Sequence, residues 1–335
     1  NPMAIFWRFV SRAMPSYIHR SSSIYYAGAI NFLNEYLKNN MVDIIFATTP
    51  SAATLAVADS ISKKYNIPWI ADFRDVFDIR MQVKNERERQ HYLRNEPKIV
   101  RSSTAITTVS EALKNQLANR HANKEIFVIP NGYDEEDYKN IKPIKNNKFT
   151  IIYTGTIYYP DRDPRPLFAA LENLLEKKSL EKDLVFVSFY GQSSAILHEL
   201  LIQYPNIASI VSVSAPVKHA ESIALQKGAT ILLHLAHGDE KGVLTGKLFE
   251  YLAAGRPILC IPGDKDEVDK LLEITNSGFA CPTQEFVENH IMAWYQEWLA
   301  TGTVEYKGNH NEISKYSRQS QAAELAGIFD KVLLT

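Results

Sequence analysis

Short apolar runs, each closed by a polar, glycine or proline turn and followed by a stretch of helical length, recur along this chain, and that alternation narrows its possible folds more than any other feature. Ile44 to Thr48 is followed by a helix over Ser51 to Tyr65, then by the run Pro68-Trp69-Ile70-Ala71-Asp72. Ala105 to Val109 leads into a helix with Ser110 at its N-cap, and Ile126 to Gly132 is a further strand and turn. After residue 148 the pattern resumes with Phe149 to Tyr153, Leu184 to Tyr190, Ile207 to Val213, Thr230 to Leu235, Ile258 to Ile261 and Phe279 to Cys281. Strands separated by helices predict parallel sheets with helices on their faces, and such sheets bind ligands beyond the carboxyl ends of their strands. Between the two series Asp134 to Lys148 is charged, rich in asparagine and without apolar period, which predicts a linker. At 335 residues the chain is long enough for two domains. They are expected over residues 1–140 and 149–312, with a last helix from Ser314 to Leu334, in the region 313–335.

The segment Gly246 to Ile258 carries the densest signal. Gly242 and Gly246 precede a short amphipathic helix, and its start offers bare N–H groups to an anion such as phosphate. Lys247 and Glu250 share one helical face, Gly255 suits the left-handed residue after the helix, and Pro257 stops it before an apolar strand. The plainer alternative is a helix-to-strand passage with a surface ion pair.

Other polar groups fall at predicted strand ends. Asp72, Arg74 and Asp75 put two carboxylates and a guanidinium where one strand closes, either as a site or as an ion pair pinning the loop. Gly155, after the first strand of the second half, lets backbone approach a ligand. Asp161-Arg162-Asp163 resembles a metal-binding pair, but aspartates before proline are common in turns. His234 and His237, three apart on an extended strand, point to opposite faces and are not expected to share zinc. No metal site is predicted. The net charge of -1 gives no global pull toward nucleic acid or an anionic membrane. Cys260 and Cys281, in apolar surroundings, suit reduced thiols of a cytoplasmic protein. No apolar run reaches the roughly 20 residues of a membrane span. Phe6, Trp7 and Phe9 beside Arg8 and Arg12 allow peripheral contact with the inner face of a membrane, or else a core-facing helix with a basic outer side.

The run Lys247 to Ile258 closely resembles the donor-binding segment of GT-B glycosyltransferases, specifically the GT4-like, group 1 family of retaining enzymes. The pairs Thr107-Thr108-Val109-Ser110 and Ile129-Pro130-Asn131-Gly132-Tyr133-Asp134 are also similar to that family. The resemblance implies an α/β GT-B fold, two Rossmann-like domains with parallel sheets facing across a cleft and the last helix crossing back onto the first domain, and an incomplete N-terminal part, since the usual first strand and glycine-rich loop are not found. It implies that Glu250 takes the ribose of a UDP- or GDP-type sugar donor, that Lys247 lies at the diphosphate, and that Gly246 and Leu248 belong to the same segment. Arg162 or Arg165 would help hold the diphosphate, Gly191, Pro216 and Val217 would line the base pocket, and Asp72, Arg74 and Asp75 would face the acceptor. An earlier glutamate of the family is here Gly242, with Glu240 out of register. The implied activity is retaining transfer of a sugar to a glycan or lipid-linked acceptor, with no cofactor required, in bacterial surface polysaccharide assembly. A nucleotide-sugar 2-epimerase and a non-catalytic sugar-nucleotide binder are the alternatives.

Overall fold

The computed structural model describes residues 23–76, 85–192, 194–237 and 241–334. The aromatic and basic stretch Ile5 to Val10 and Glu240 lie outside the described residues. Two compact units are present, one of residues 1–130 and 322–335, the other of residues 131–321.

The first unit runs α1 (Ser23–Tyr36), β1 (Ile45–Thr48), α2 (Ala52–Tyr65), β2 (Trp69–Phe73), α3 (Glu86–Ile99), β3 (Ala105–Thr108), α4 (Glu111–Arg120) and β4 (Glu125–Val128). Its strands form a parallel sheet in the order β1-β2-β3-β4, with Ile45 opposite Trp69, Ile70 opposite Ala105 and Ala105 opposite Glu125. β2 is buried on both faces, which is why it reads as a continuous apolar run. Trp69, Ala71 and Phe73 pack with Leu55, Ile106 and Leu117 on one side, and Ile70 with Ile129, Ile328 and Val332 on the other. Ser110 caps α4 by accepting from the Leu113 N–H at 3.2 Å.

The second unit contains α5 (Glu136–Lys139), β5 (Phe149–Thr154), α6 (Arg165–Glu176), β6 (Val185–Tyr190), α7 (Ser194–Leu201), β7 (Val211–Ser214), α8 (His219–Gly228) and β8 (Ile231–Leu235). Then follow α9 (Gly246–Ala254), β9 (Ile258–Ile261), α10 (Glu267–Thr275), β10 (Gly278–Ala280), α11 (Gln284–Thr301) and α12 (His310–Ser314), and last α13 (Arg318–Leu333), which belongs to the first unit from residue 322 on. Its parallel sheet has the order β10-β9-β8-β5-β6-β7. Alternate residues feed two cores: Phe149, Ile151, Tyr153, Leu233 and Leu259 enter one, and Ile152, Leu232, Ile258 and Cys260 the other, beneath Leu248 and Leu252 of α9. Cys281 belongs to the first core and Cys260 to the second, so the two thiols lie on opposite faces, both free and buried.

Three segments differ from expectation. The strand placed over Ile207 to Val213 is Val211–Ser214, because Ile207 closes a turn by accepting from the Ile210 N–H at 2.9 Å. The stretch from Asp134 is bound rather than free: Tyr138 donates to the Glu250 carbonyl at 3.1 Å, and Lys227 Nζ donates to the carbonyls of Tyr138 and Ile141. The last helix starts at Arg318 rather than Ser314, separate from the short α12, since the Tyr316 carbonyl accepts from the Tyr133 N–H and the Arg318 N–H donates back to the Tyr133 carbonyl. Helix α11 was not anticipated, although Val287, Ile291, Trp294 and Tyr295 are buried at helical spacing and Thr283 caps it.

Packing between β9 and β10 leaves no room at Gly278, where a Cβ would lie 2.0 Å from the Ile258 carbonyl oxygen. Gly278→Ala is expected to cost about 1–3 kcal/mol of stability, as for other overpacking changes. Denaturant unfolding checks this, and an unchanged midpoint would contradict it.

Candidate functional site

Strand order in the second unit reverses between β5 and β8: from β5 the chain moves outward to β6 and β7, then returns to β8 and continues to β9 and β10. A parallel sheet opens a crevice at such a reversal, beyond the carboxyl ends of the two strands. The segments leaving β5 and β8 supply Thr154, Gly155 and Arg162 on one side and His234, His237 and the start of α9 on the other.

Helix α9 begins without a side-chain cap and has no acidic residue in its first turn. Thr245 is its N-cap residue, yet the Thr245 hydroxyl is buried and without a hydrogen-bond partner. A Cβ added at Gly246 would meet nothing within 4 Å, so there is open space at the helix start. The Leu248 N–H bonds to the Thr245 carbonyl, and the Leu248 side chain is core, so this residue supports the segment from within.

Lys247 is not half of a surface ion pair. Its Nζ is buried without a hydrogen-bond partner, 3.7 Å from the centroid of the Tyr153 ring. Gly155 makes this seat: at φ +125°, its absent Cβ would lie 2.5 Å from Lys247 Nζ. Gly191 in turn abuts Gly155, where a Cβ would come within 2.1 Å of the Gly155 carbonyl oxygen, so its glycine serves strand-end packing. Arg162 is 7% exposed, with its guanidinium 5.2 Å from the Tyr158 ring centroid, one donor reaching the Thr156 carbonyl at 3.4 Å, and Nε buried and unpartnered. His234 is fully buried with Nδ1 unpartnered.

These groups oppose one another electrostatically. Burial and the neighbouring Arg162 charge hold the Lys247 ammonium well below its ordinary range, with Glu250 pulling the other way. Burial, Lys247 and Arg162 lower His234 to about 3, and burial followed by Arg162 lowers His237 to about 4. Several cationic or cation-capable groups thus converge beside an uncapped helix N-terminus, which itself favours negative charge.

Glu250, one turn along α9, accepts from Gln226 Nε2 at 3.3 Å. Gln226 also donates to the hydroxyls of Thr154 and Ser222, and Thr154 is held by the Tyr251 hydroxyl at 3.0 Å. Sequence reasoning missed Gln226, Thr154, Tyr153 and Tyr251, whose roles depend on contacts across α8, α9 and β5. Pro216 is exposed in the loop after β7, and Val217 packs against the core beneath α9.

Arg165 does not join the Lys247 group. It forms a 2.6 Å ion pair with Asp163, stands over the Tyr159 ring, and lines a cavity of about 440 Å³ with Tyr204, Pro262, Cys281 and Gln284. That cavity contains none of Lys247, Arg162, His234 or Glu250, and its charged pair is mutually satisfied, so the β5/β8 crevice is the stronger site. Among the described residues no group of three or more His, Cys, Asp or Glu could hold a metal ion.

In the first unit Asp72 is 1% exposed and is consumed by structural bonds, accepting from Arg74 Nε at 3.0 Å and the Thr107 hydroxyl at 2.7 Å. Arg74 also donates to the Ile129 carbonyl, so these two residues pin the strand end. Asp75 is exposed at that end, with its carboxyl pushed above the ordinary range by partial desolvation.

Residues 7–137 match the family model described as Glycosyltransferase Family 4. Sucrose-phosphate synthase from Thermosynechococcus elongatus aligns with a TM-score of 0.65 at 13% identity, over 91% of this chain and 77% of its own. Anabaena HepE in complex with UDP and glucose gives 0.64 at 16% identity, over 91% and 81%. A glycosyltransferase from Rickettsia africae gives 0.68 at 15% identity, over 96% and 84%. The comparison with curated proteins finds no match. At these identities the structural likeness establishes the fold, which is GT-B.

The histidines make the apo protein acid-sensitive. His234 stays neutral in the folded state down to about pH 3, whereas the unfolded chain takes up its proton below about 6.5. Stability is therefore full above pH 6.5 and falls as pH drops toward 3. The melting temperature of the wild type is expected to decline from pH 7.5 to 5, and His234→Leu to flatten that slope. Equal slopes would show that His234 is not held neutral.

Proposed function

We propose that the protein is a GT4-like glycosyltransferase, a reading supported by the family 4 match over residues 7–137 and by the GT-B fold, and that it moves a sugar, with retention, from a UDP- or GDP-type donor to a glycan or lipid-linked acceptor. The observation that carries this reading is the buried Lys247 ammonium, without a hydrogen-bond partner, beside Arg162 and His234 and offset only in part by Glu250, at an uncapped helix start. A diphosphate supplies the missing charge. Anabaena HepE, of the same fold, has been seen with UDP-glucose, which supports a nucleotide sugar as donor.

Departure of the diphosphate builds negative charge on its oxygens, and Lys247, Arg162 and the α9 N-terminus meet that charge in a water-poor site where fixed donors act strongly. No metal ion is required in this scheme. Glu250 takes the ribose hydroxyls. Acceptor handling is assigned to Asp75 at the β2 end of the first unit, with Asp72 and Arg74 holding that loop. The setting that fits is assembly of bacterial surface polysaccharide on the cytoplasmic side of the membrane. Contact with the bilayer is a matter for the Ile5 to Val10 stretch, outside the described residues; among the described residues no helix is long and apolar enough to cross a membrane. A neighbour described as a UDP-N-acetylglucosamine 2-epimerase from Listeria monocytogenes, TM-score 0.54, makes epimerisation the competing reading. Incubation with UDP-GlcNAc and no acceptor separates the two, since a transferase leaves C2 unchanged.

Lys247→Ala is expected to lower kcat more than donor affinity, because the charge it meets grows toward the transition state. Equal small changes in kcat and KM would remove Lys247 from the phosphate site. Glu250→Gln is expected to weaken nucleotide diphosphate binding by about 1.5–3 kcal/mol, the range for a hydrogen bond to a charged group. Calorimetry showing unchanged affinity would contradict the ribose role.

A further inference from the structure

Gln226 is the most fully enclosed polar side chain near Glu250, at 0% exposure in the last turn of α8. Its amide nitrogen, with two hydrogens shared among three acceptors, lies 3.3 Å from Glu250 Oε2, 3.0 Å from Thr154 Oγ1 and 3.2 Å from Ser222 Oγ, while its amide oxygen is buried without a partner. That arrangement is costly by itself, since a buried unpaired acceptor has given up its water without a replacement. Turned over, the amide would offer its oxygen to two hydroxyls able to donate, with its NH2 in the place where the oxygen now lacks a partner. The same turn would set that oxygen against the Glu250 carboxylate, two acceptors face to face. The carboxylate therefore dictates the amide's orientation, and the amide in turn fixes one oxygen of the carboxylate. The Tyr251 hydroxyl bonds the Thr154 N–H at 3.0 Å and lies 3.4 Å from Thr154 Oγ1, so the chain of contacts is anchored at β5 and α9 together.

We propose that Gln226 is a positioning residue for donor recognition: by holding Glu250 Oε2 it aims the other carboxylate oxygen at the ribose diol and sets the preference for an intact ribose. This rests on the ribose role given to Glu250 above. Gln226 touches no part of the nucleotide itself. Its loss leaves Glu250 charged but free to rotate, and a carboxylate that must be ordered on binding holds the diol less tightly.

The test compares binding of UDP and of 2′,3′-dideoxy-UDP, or the GDP pair if the wild type prefers GDP, in wild type, Gln226→Met and Gln226→Asn. The thioether keeps the volume and removes the donor; the shorter amide keeps polarity and cannot reach Glu250. The wild type is expected to prefer the intact ribose by about tenfold or more, the scale of one hydrogen bond to a charged group. Both variants are expected to shrink that ratio to about threefold or less with affinity for the dideoxy form nearly unchanged, which a merely structural residue would not produce. A wild type that binds neither diphosphate, or does not discriminate, overturns the ribose reading and this inference with it. Discrimination kept in the variants, or equal loss of both ligands, overturns the inference alone.

Discussion

A buried ammonium without a hydrogen-bond partner is the constraint around which the second unit is arranged. Lys247 sits over the Tyr153 ring with its Nζ out of solvent, and the ring quadrupole contributes at most a few kcal/mol against a larger desolvation cost. Arg162, close enough to depress the Lys247 pKa, makes the arrangement worse for a charged lysine. Among the described residues relief is only partial: α9 has no acidic residue in its first turn, and Glu250, one turn along, offsets part of the effect while engaged by Gln226. Such a site is poised for a ligand bearing concentrated negative charge, and it stands at the strand reversal where a parallel sheet opens.

Two glycines hold the geometry in place. Gly155 gives up its Cβ to Lys247, and Gly191 gives up its own to the Gly155 carbonyl, so β5, β6 and α9 approach at one point. The two polar clusters then differ in kind. In the second unit donors are left unpaired, whereas in the first Asp72 and Arg74 satisfy each other and the strand end, leaving Asp75 exposed. Unpaired buried donors point toward a ligand; satisfied ones point toward rigidity.

Much of this was legible in the residues. Apolar runs located the strands because a parallel sheet covered on both faces needs no polar alternation, and Gly255 stops α9 in the left-handed conformation, at φ 65°. Glu250 and Lys247 stood out by spacing. What spacing could not supply was burial: Lys247 reads as a surface residue because the Tyr153 ring and the space at Gly155 come from a segment far away in sequence. Gln226 carries no local signal, being one polar residue between Leu225 and Lys227 on a helix. The break between α12 and α13 was hidden for the same reason, since it answers to Tyr133 across the unit.

The central claim is that Lys247 and Arg162, each with a buried donor left unpaired at the β5/β8 crevice, await a diphosphate. A crystal structure of the protein saturated with UDP or GDP tests it most directly. Phosphate oxygens are predicted within hydrogen-bonding distance of both Lys247 Nζ and the Arg162 guanidinium, with the ribose beside Glu250. A diphosphate bound away from Lys247 and Arg162, or a crevice left empty at saturating nucleotide, would contradict the account.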